Sequence, residues 1–144
     1  MNSLVIDTCV LRLYDTPADP NYKKLFKWLT ESGKLCVTQK LLNEYYGTGN
    51  RNIQILLAEF NRDAKNPRLI KYNKSQIESF NDDKNYNYTC NIEDRYHAKL
   101  VFLSPRKKII TQDNKLANDI NGFRKVDKVK PLATNRPDIS FYSD

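Results

Sequence analysis

The sequence predicts one α/β domain built on a mainly parallel sheet, and three observations predict it. Short apolar runs alternate with stretches of helical periodicity, the pattern of βαβ units. The 144 residues match one ordinary domain, so residues 1–144 are expected to share a single core. Hydrophobic residues make up 40% and aromatics 11%, enough to build that core and to argue against disorder.

Taken in order, Leu4-Val5-Ile6 is a buried strand ending in an acid, Asp7. Asp19-Pro20 supplies an N-cap and a first-turn proline for a helix over Asn21 to Glu31, with Leu25, Phe26, Trp28 and Leu29 as its stripe and Gly33 as its stop. Leu35-Cys36-Val37 is a second strand. Thr38 caps a helix from Gln39 to Tyr46, and after the Gly47-Thr48-Gly49-Asn50 loop a further helix runs from Arg51 to Asp63 with Ile53, Leu56, Leu57 and Phe60 inward. Leu69-Ile70 is a brief strand, Ser75 to Phe80 a helix, and Asn81 to Tyr88 a polar connector. A helix from Asn91 to Leu103 is apolar nearly all round and should be covered on more than one side. Ile109-Ile110-Thr111 is a strand, Asn114 to Ile120 a helix, and Val126 to Val129 the last strand, leaving 131–144 as an irregular tail.

Twenty-four Lys and Arg against seventeen Asp and Glu give a net charge of +7. That surplus suits polyanionic partners, nucleic acid above all, although it also serves solubility. Cys9, Cys36 and Cys90 are odd in number and lack C-x-x-C spacing, which suits buried thiols in a reducing cytoplasm better than disulfides or zinc. Leu4-Val5-Ile6 is too short for a signal-peptide core, and the longest apolar run, Leu100 to Leu103, cannot span a bilayer. The expectation is a soluble, cytoplasmic protein with no membrane partner.

In parallel sheets, sites form beyond the carboxyl ends of the strands. Asp7 and Asp113 both fall there. Asp94 lies in the first turn of its helix, in line with the small Ala98 and with Val101, and Glu44 stands three residues after Leu41 on the face expected to be buried. Each acid also has a plain explanation: turn or helix caps for Asp7 and Asp113, the helix dipole for Asp94, a solvated surface for Glu44. As a set they are harder to dismiss. Four carboxylates gathered in a partly buried site repel one another unless protons or cations compensate. Mg²⁺ or Mn²⁺ would do so, and could activate water against a phosphodiester.

Val5-Ile6-Asp7-Thr8, Leu41-Leu42-Asn43-Glu44, Glu93-Asp94-Arg95-Tyr96-His97 and Ile110-Thr111-Gln112-Asp113 together resemble, in order and spacing, the four motifs of the PIN-domain ribonucleases. The resemblance covers residues 3 to 120. It implies a three-layer α/β/α fold with about five strands and an Mg²⁺- or Mn²⁺-dependent endoribonuclease. It implies metal ligation by Asp7, Asp94 and Asp113, with Glu44 as ligand or water-positioner and Thr8 and Thr111 as hydrogen-bonding supports. Many members are toxins of toxin–antitoxin pairs, silenced by a small protein, and many dimerise. Two departures stand out: Cys9 where the family often has Asn or Ser, and Lys115 where many members carry another acid.

His97, Asn114 and Lys115 are candidates for substrate contact, His97 also for a structural role. With one histidine, a two-imidazole mechanism is excluded, and no motif surrounds a serine or cysteine nucleophile. The four glycines form no phosphate loop. Lys23-Lys24, Arg106-Lys107-Lys108 and Arg124 to Lys130 are basic clusters, and Tyr86 and Tyr88 could stack on unpaired bases. The expected partner is RNA, with DNA left open. The competing reading is a catalytically inactive PIN-like module that binds RNA or protein.

Overall fold

Ser3–Ile6, buried throughout, forms β1 at the middle of a five-stranded, all-parallel sheet in a computed structural model that describes residues 2–143. Its neighbours are β2 (Lys34–Val37), in register Leu4↔Leu35, and β4 (Lys108–Ile110), in register Val5↔Ile109. β3 (Leu69–Lys71) lies outside β2, and β5 (Leu132–Thr134) outside β4, giving the order β3-β2-β1-β4-β5. Strands buried on both faces read as unbroken apolar runs, which is why Leu4-Val5-Ile6, Leu35-Cys36-Val37 and Ile109-Ile110 were visible in the sequence.

Between β1 and β2 come α1 (Thr8–Leu11) and α2 (Pro20–Glu31), and between β2 and β3 come α3 (Gln39–Gly47) and α4 (Arg51–Asn61). α5 (Lys74–Glu78) and α6 (Ile92–Leu103) precede β4, α7 (Asn114–Gly122) follows it, and α8 (Ile139–Tyr142) comes last. Right-handed crossovers put the connections running outward from β1 on one face and those returning to β4 and β5 on the other, a three-layer arrangement. The caps are local. Asp19 accepts from Asn21 N–H at 2.9 Å, Thr38 from Leu41 N–H at 3.1 Å, and Asn50 from Asn52 and Ile53 N–H. Gly49 sits at φ +68°, where a side chain would be strained.

Two expectations about the C-terminal region are corrected. Val126 to Val129 is no sheet strand. Asp127 and Lys128 both adopt positive φ, so the chain reverses and Val126 and Val129 bond each other at 2.9 Å in both directions. The last strand comes later, at Leu132–Thr134, inside the stretch expected to be irregular. Its edge is partly covered: Asn121 of α7 donates to the Ala133 carbonyl at 3.1 Å and accepts from Ala133 N–H at 2.8 Å. α8 then docks on Trp28 through Tyr142, ring centroids 4.9 Å apart.

That docking also corrects a basic cluster. Arg106 donates to the Tyr142 carbonyl at 2.7 Å, Lys108 to the Phe141 carbonyl at 2.7 Å, and Lys107 is buried with its ammonium on the Ser104 carbonyl at 3.0 Å. These three cations hold the tail and the β4 entry. Tyr86 and Tyr88, expected as base stackers, instead pack edge-on and face-on against Phe123 and bond Asp119 and Asp82. Among the described residues no helix is long and apolar enough to cross a membrane.

Candidate active site

The chain runs outward from β1 through β2 to β3, then returns to β4 on β1's other side, so successive connections diverge between β1 and β4. At such a switch point a crevice opens beyond the carboxyl ends. Asp7 and Asp113 flank it.

Asp7 is held at both ends. Its backbone N–H continues the sheet by donating to the Ile110 carbonyl at 3.0 Å, and Oδ1 accepts from Thr8 N–H at 2.9 Å, capping α1. Oδ2 accepts from the Thr111 hydroxyl at 2.6 Å and from the Cys9 thiol at 3.6 Å. Cys9 therefore still offers Asp7 a donor, a weak one. Burial first, then the Asp7 charge, pushes its thiol up from the ordinary cysteine value, so it stays a thiol.

Thr111 is fully buried, and the same hydroxyl that donates to Asp7 accepts from Asp113 N–H at 3.1 Å. One side chain thus ties the ends of both acid-bearing segments. Asp113 also caps α7, Oδ1 accepting from Lys115 N–H at 3.0 Å and Leu116 N–H at 3.2 Å. The plain capping roles of Asp7 and Asp113 hold, and they orient the carboxylates at the crevice rather than removing them from it.

Asp94 enters from α6, half-buried in its first turn. Its carboxyl is raised above the ordinary aspartate value, chiefly by burial and next by Asp113, with a further push from Asp7, while His97 and Lys40 pull the other way. Asp94 therefore lies within reach of the charges of both Asp113 and Asp7. Among the described residues no three His, Cys, Asp or Glu side chains are gathered into a ready-made metal cage.

Glu44 adjoins this group from α3. Oε1 accepts from the Thr8 hydroxyl at 3.2 Å and Oε2 lies 2.8 Å from His97 Nε2, which must carry the proton because a carboxylate can only accept. His97 is 3% exposed, and its Nδ1 is buried with no partner. Of its two expected roles this favours the structural one: it faces Glu44 across α3 and α6, and leaves no surface for a phosphate. Asn114 and Lys115 are exposed in the first turn of α7, beside Asp113.

Three residues that the sequence did not single out complete the site. Tyr45, fully buried, donates to the Ile6 carbonyl and so ties α3 to the end of β1; burial, with Asp7 and Glu44 behind it, keeps its phenol far above the ordinary value. Arg12 lines a cavity of about 430 Å³ together with Asp7, Thr8, Cys9 and Glu44, adding a cation. Asp119, 1% exposed, accepts from Thr89 N–H at 2.8 Å, the Thr89 hydroxyl at 2.9 Å and Cys90 N–H at 2.8 Å, pinning the segment from which α6 and Asp94 start. Burial alone would raise that carboxyl, but bonds from the Cys90 thiol and from Thr89 and Cys90 outweigh it and hold it below the usual aspartate value. Tyr45 and Asp119 carry no sequence signal, because each acts on partners distant along the chain. No family model, curated protein or solved structure matches this chain.

Proposed function

We propose that the chain is an endoribonuclease of PIN-like type that hydrolyses RNA phosphodiester bonds with Mg²⁺ or Mn²⁺ held by Asp7, Asp94, Asp113 and Glu44. The observation that carries this reading is the charge coupling of Asp94 to Asp113 and Asp7 at the switch point between β1 and β4. A raised carboxyl beside two others is a site that a cation relieves, and an all-oxygen donor set suits a hard ion. When bound, such an ion polarises a phosphoryl oxygen and lowers the pKa of a bound water.

The chain's own residues do the positioning. Thr111 holds Asp7 and the Asp113 backbone in one arrangement, and Thr8 and His97 occupy one oxygen each of Glu44, so that carboxylate is aimed before substrate arrives. Arg12 at the cavity and the net charge of +7 favour a polyanion against the local repulsion of the acids. Silencing by a small partner protein and dimerisation belong to the same proposal, on the strength of the sequence resemblance.

Purified protein incubated with single-stranded and structured RNA, with Mn²⁺ and with chelator, tests it. Cleavage should need the metal and be lost in Asp7→Asn and Asp94→Asn. Equal activity in the variants would trace cleavage to a contaminant, and calorimetry without Mn²⁺ binding at millimolar metal would favour the inactive binding module.

A further inference from the structure

Glu44 is the shared wall of two cavities. One, described above, opens over Asp7 and Arg12. The second, of about 670 Å³, lies among α3, the β3–α5 junction and α6, and is lined by Lys40, Asn43, Tyr72, Lys74 and Tyr96. A third, of about 330 Å³, shares Tyr72 and Asn73 with the second and reaches Lys71. The first and second meet at Glu44 and the second and third at Tyr72 and Asn73, so the three line up as a track leading away from Asp7. Among the described residues Glu44, at the end nearest Asp7, is the one carboxylate lining the second cavity and the third has none, against Lys40, Lys71 and Lys74.

The lining is held in place. The Tyr72 hydroxyl donates to the Leu103 carbonyl at 3.4 Å, and the Lys40 ammonium bonds the Glu93 carbonyl at 2.8 Å while standing 5.6 Å from the Tyr96 ring centroid. Lys74 pairs with Glu78 at 3.8 Å, but both side chains are largely exposed and the contact is worth little. Cations spaced along a groove suit a phosphodiester backbone, and fixed phenol rings between them suit the flat faces of bases. In a duplex those faces are covered by stacking and pairing, so only an unpaired strand can offer them.

Resting on the nuclease reading of the acid site, we infer that this track holds the unpaired nucleotides on one side of the scissile phosphate. Bases stack on Tyr72 and Tyr96, phosphates lie against Lys40, Lys71 and Lys74, and Asn43 and Asn73 meet base edges. The track supplies what the acids lack, an affinity for the substrate, and it makes a single strand the polymer that reaches them.

The test is equilibrium binding of a labelled single-stranded RNA 12-mer to the full chain in chelator, so that nothing is cut. Single-stranded DNA of the same sequence and the RNA duplex are run as parallel arms. Wild type should bind the single strand roughly tenfold more tightly than the duplex, and Tyr96→Leu, which keeps apolar bulk but removes the ring, should weaken it about tenfold. The double variant Lys71→Ala/Lys74→Ala should lower the slope of log affinity against log salt by about 1.4, two phosphates' worth. Lys65→Ala, in an exposed loop outside the basic clusters, should bind as wild type does, and thermal melts confirm that each variant folds. Equal RNA and DNA binding would assign the track to any unpaired strand; tighter RNA binding would assign a contact to the 2′-hydroxyl. Folded Tyr96→Leu and double-lysine variants that bind like wild type, a preference for duplex, or no binding at all would overturn the inference. Cleavage with Mn²⁺ alongside unaffected variants would sink the track alone, whereas binding through the track with no cleavage would sink the nuclease reading alone.

Discussion

His97 donates through Nε2 to Glu44 Oε2 at 2.8 Å, from a position 3% exposed. The pair joins α6 to α3 at the rim of the acid cluster, and it makes His97 a positioning residue that acts through Glu44. His97→Gln can retain part of that bond, whereas His97→Ala removes it and leaves a buried gap. Loss of such a supporting partner typically costs 10–100-fold, so kcat should fall at least roughly tenfold in His97→Ala, with KM for RNA little changed and partial rescue in His97→Gln. Equal kcat in wild type and His97→Ala would show the pair to be structural only.

Thr111 serves two partners with one hydroxyl, Oδ2 of Asp7 at 2.6 Å and N–H of Asp113 at 3.1 Å. Thr111→Val keeps the shape and removes both bonds in a fully buried place. The expected loss is about 2 kcal/mol by urea denaturation, because a buried N–H and a carboxylate each lose a partner. Cleavage should fall by more than the stability change explains, which assays well below the melting temperature will show.

Asp94 is raised by burial, by Asp113 and by Asp7, so its ionised form opposes folding. For a carboxyl whose folded pKa exceeds its unfolded one, the penalty is absent below the unfolded value and grows as pH rises through the folded value. Asp94→Asn should therefore melt about 2 °C higher than wild type at pH 7 and lose that advantage near pH 3, while cutting no RNA. Scanning calorimetry at both pH values checks it. Added Mn²⁺ should reverse the order at pH 7, since a ligand at 100 times its Kd adds about 2.7 kcal/mol to the protein that binds it.

Asp119 has the opposite sign. Its folded carboxyl lies below the usual value because Cys90 and Thr89 donors outweigh burial, so it stabilises the fold above the unfolded value and ceases to do so as pH falls through the folded one. Asp119→Asn should cost about 2 kcal/mol at neutral pH, and the gap from wild type should close on acidification below about 4. Urea midpoints across pH 2.5 to 7 would expose the reverse trend if the assignment were wrong.

What could be seen in the sequence was what local chemistry decides. Asp19-Pro20, Thr38 and the Ile53, Leu56, Leu57 and Phe60 stripe act within a turn or two of themselves, and each appears in the structure as expected. The strands next to β1 were visible because burial on both faces writes an apolar run. β5 was not. Leu132-Ala133-Thr134 sits at a sheet edge, half exposed, and its place is decided by pairing with β4 and by Asn121. Asp7 and Asp113 were placed at strand ends by the rule for parallel sheets, but Arg106, Lys108, Tyr86 and Tyr88 look like a nucleic-acid surface until their partners across the fold are known. His97 could be seen as a histidine one turn beyond Asp94; that it serves Glu44, 53 residues away, could not.

The bond from Thr111 to Asp7 spans 104 positions of the chain, and β1 can meet β4 only after every intervening segment has been made. During synthesis Asp7 therefore lacks its Thr111 partner until residue 111 has been made. A chain stalled or truncated before β4 carries Asp7, Glu44 and Asp94 without the strand that brings them into register.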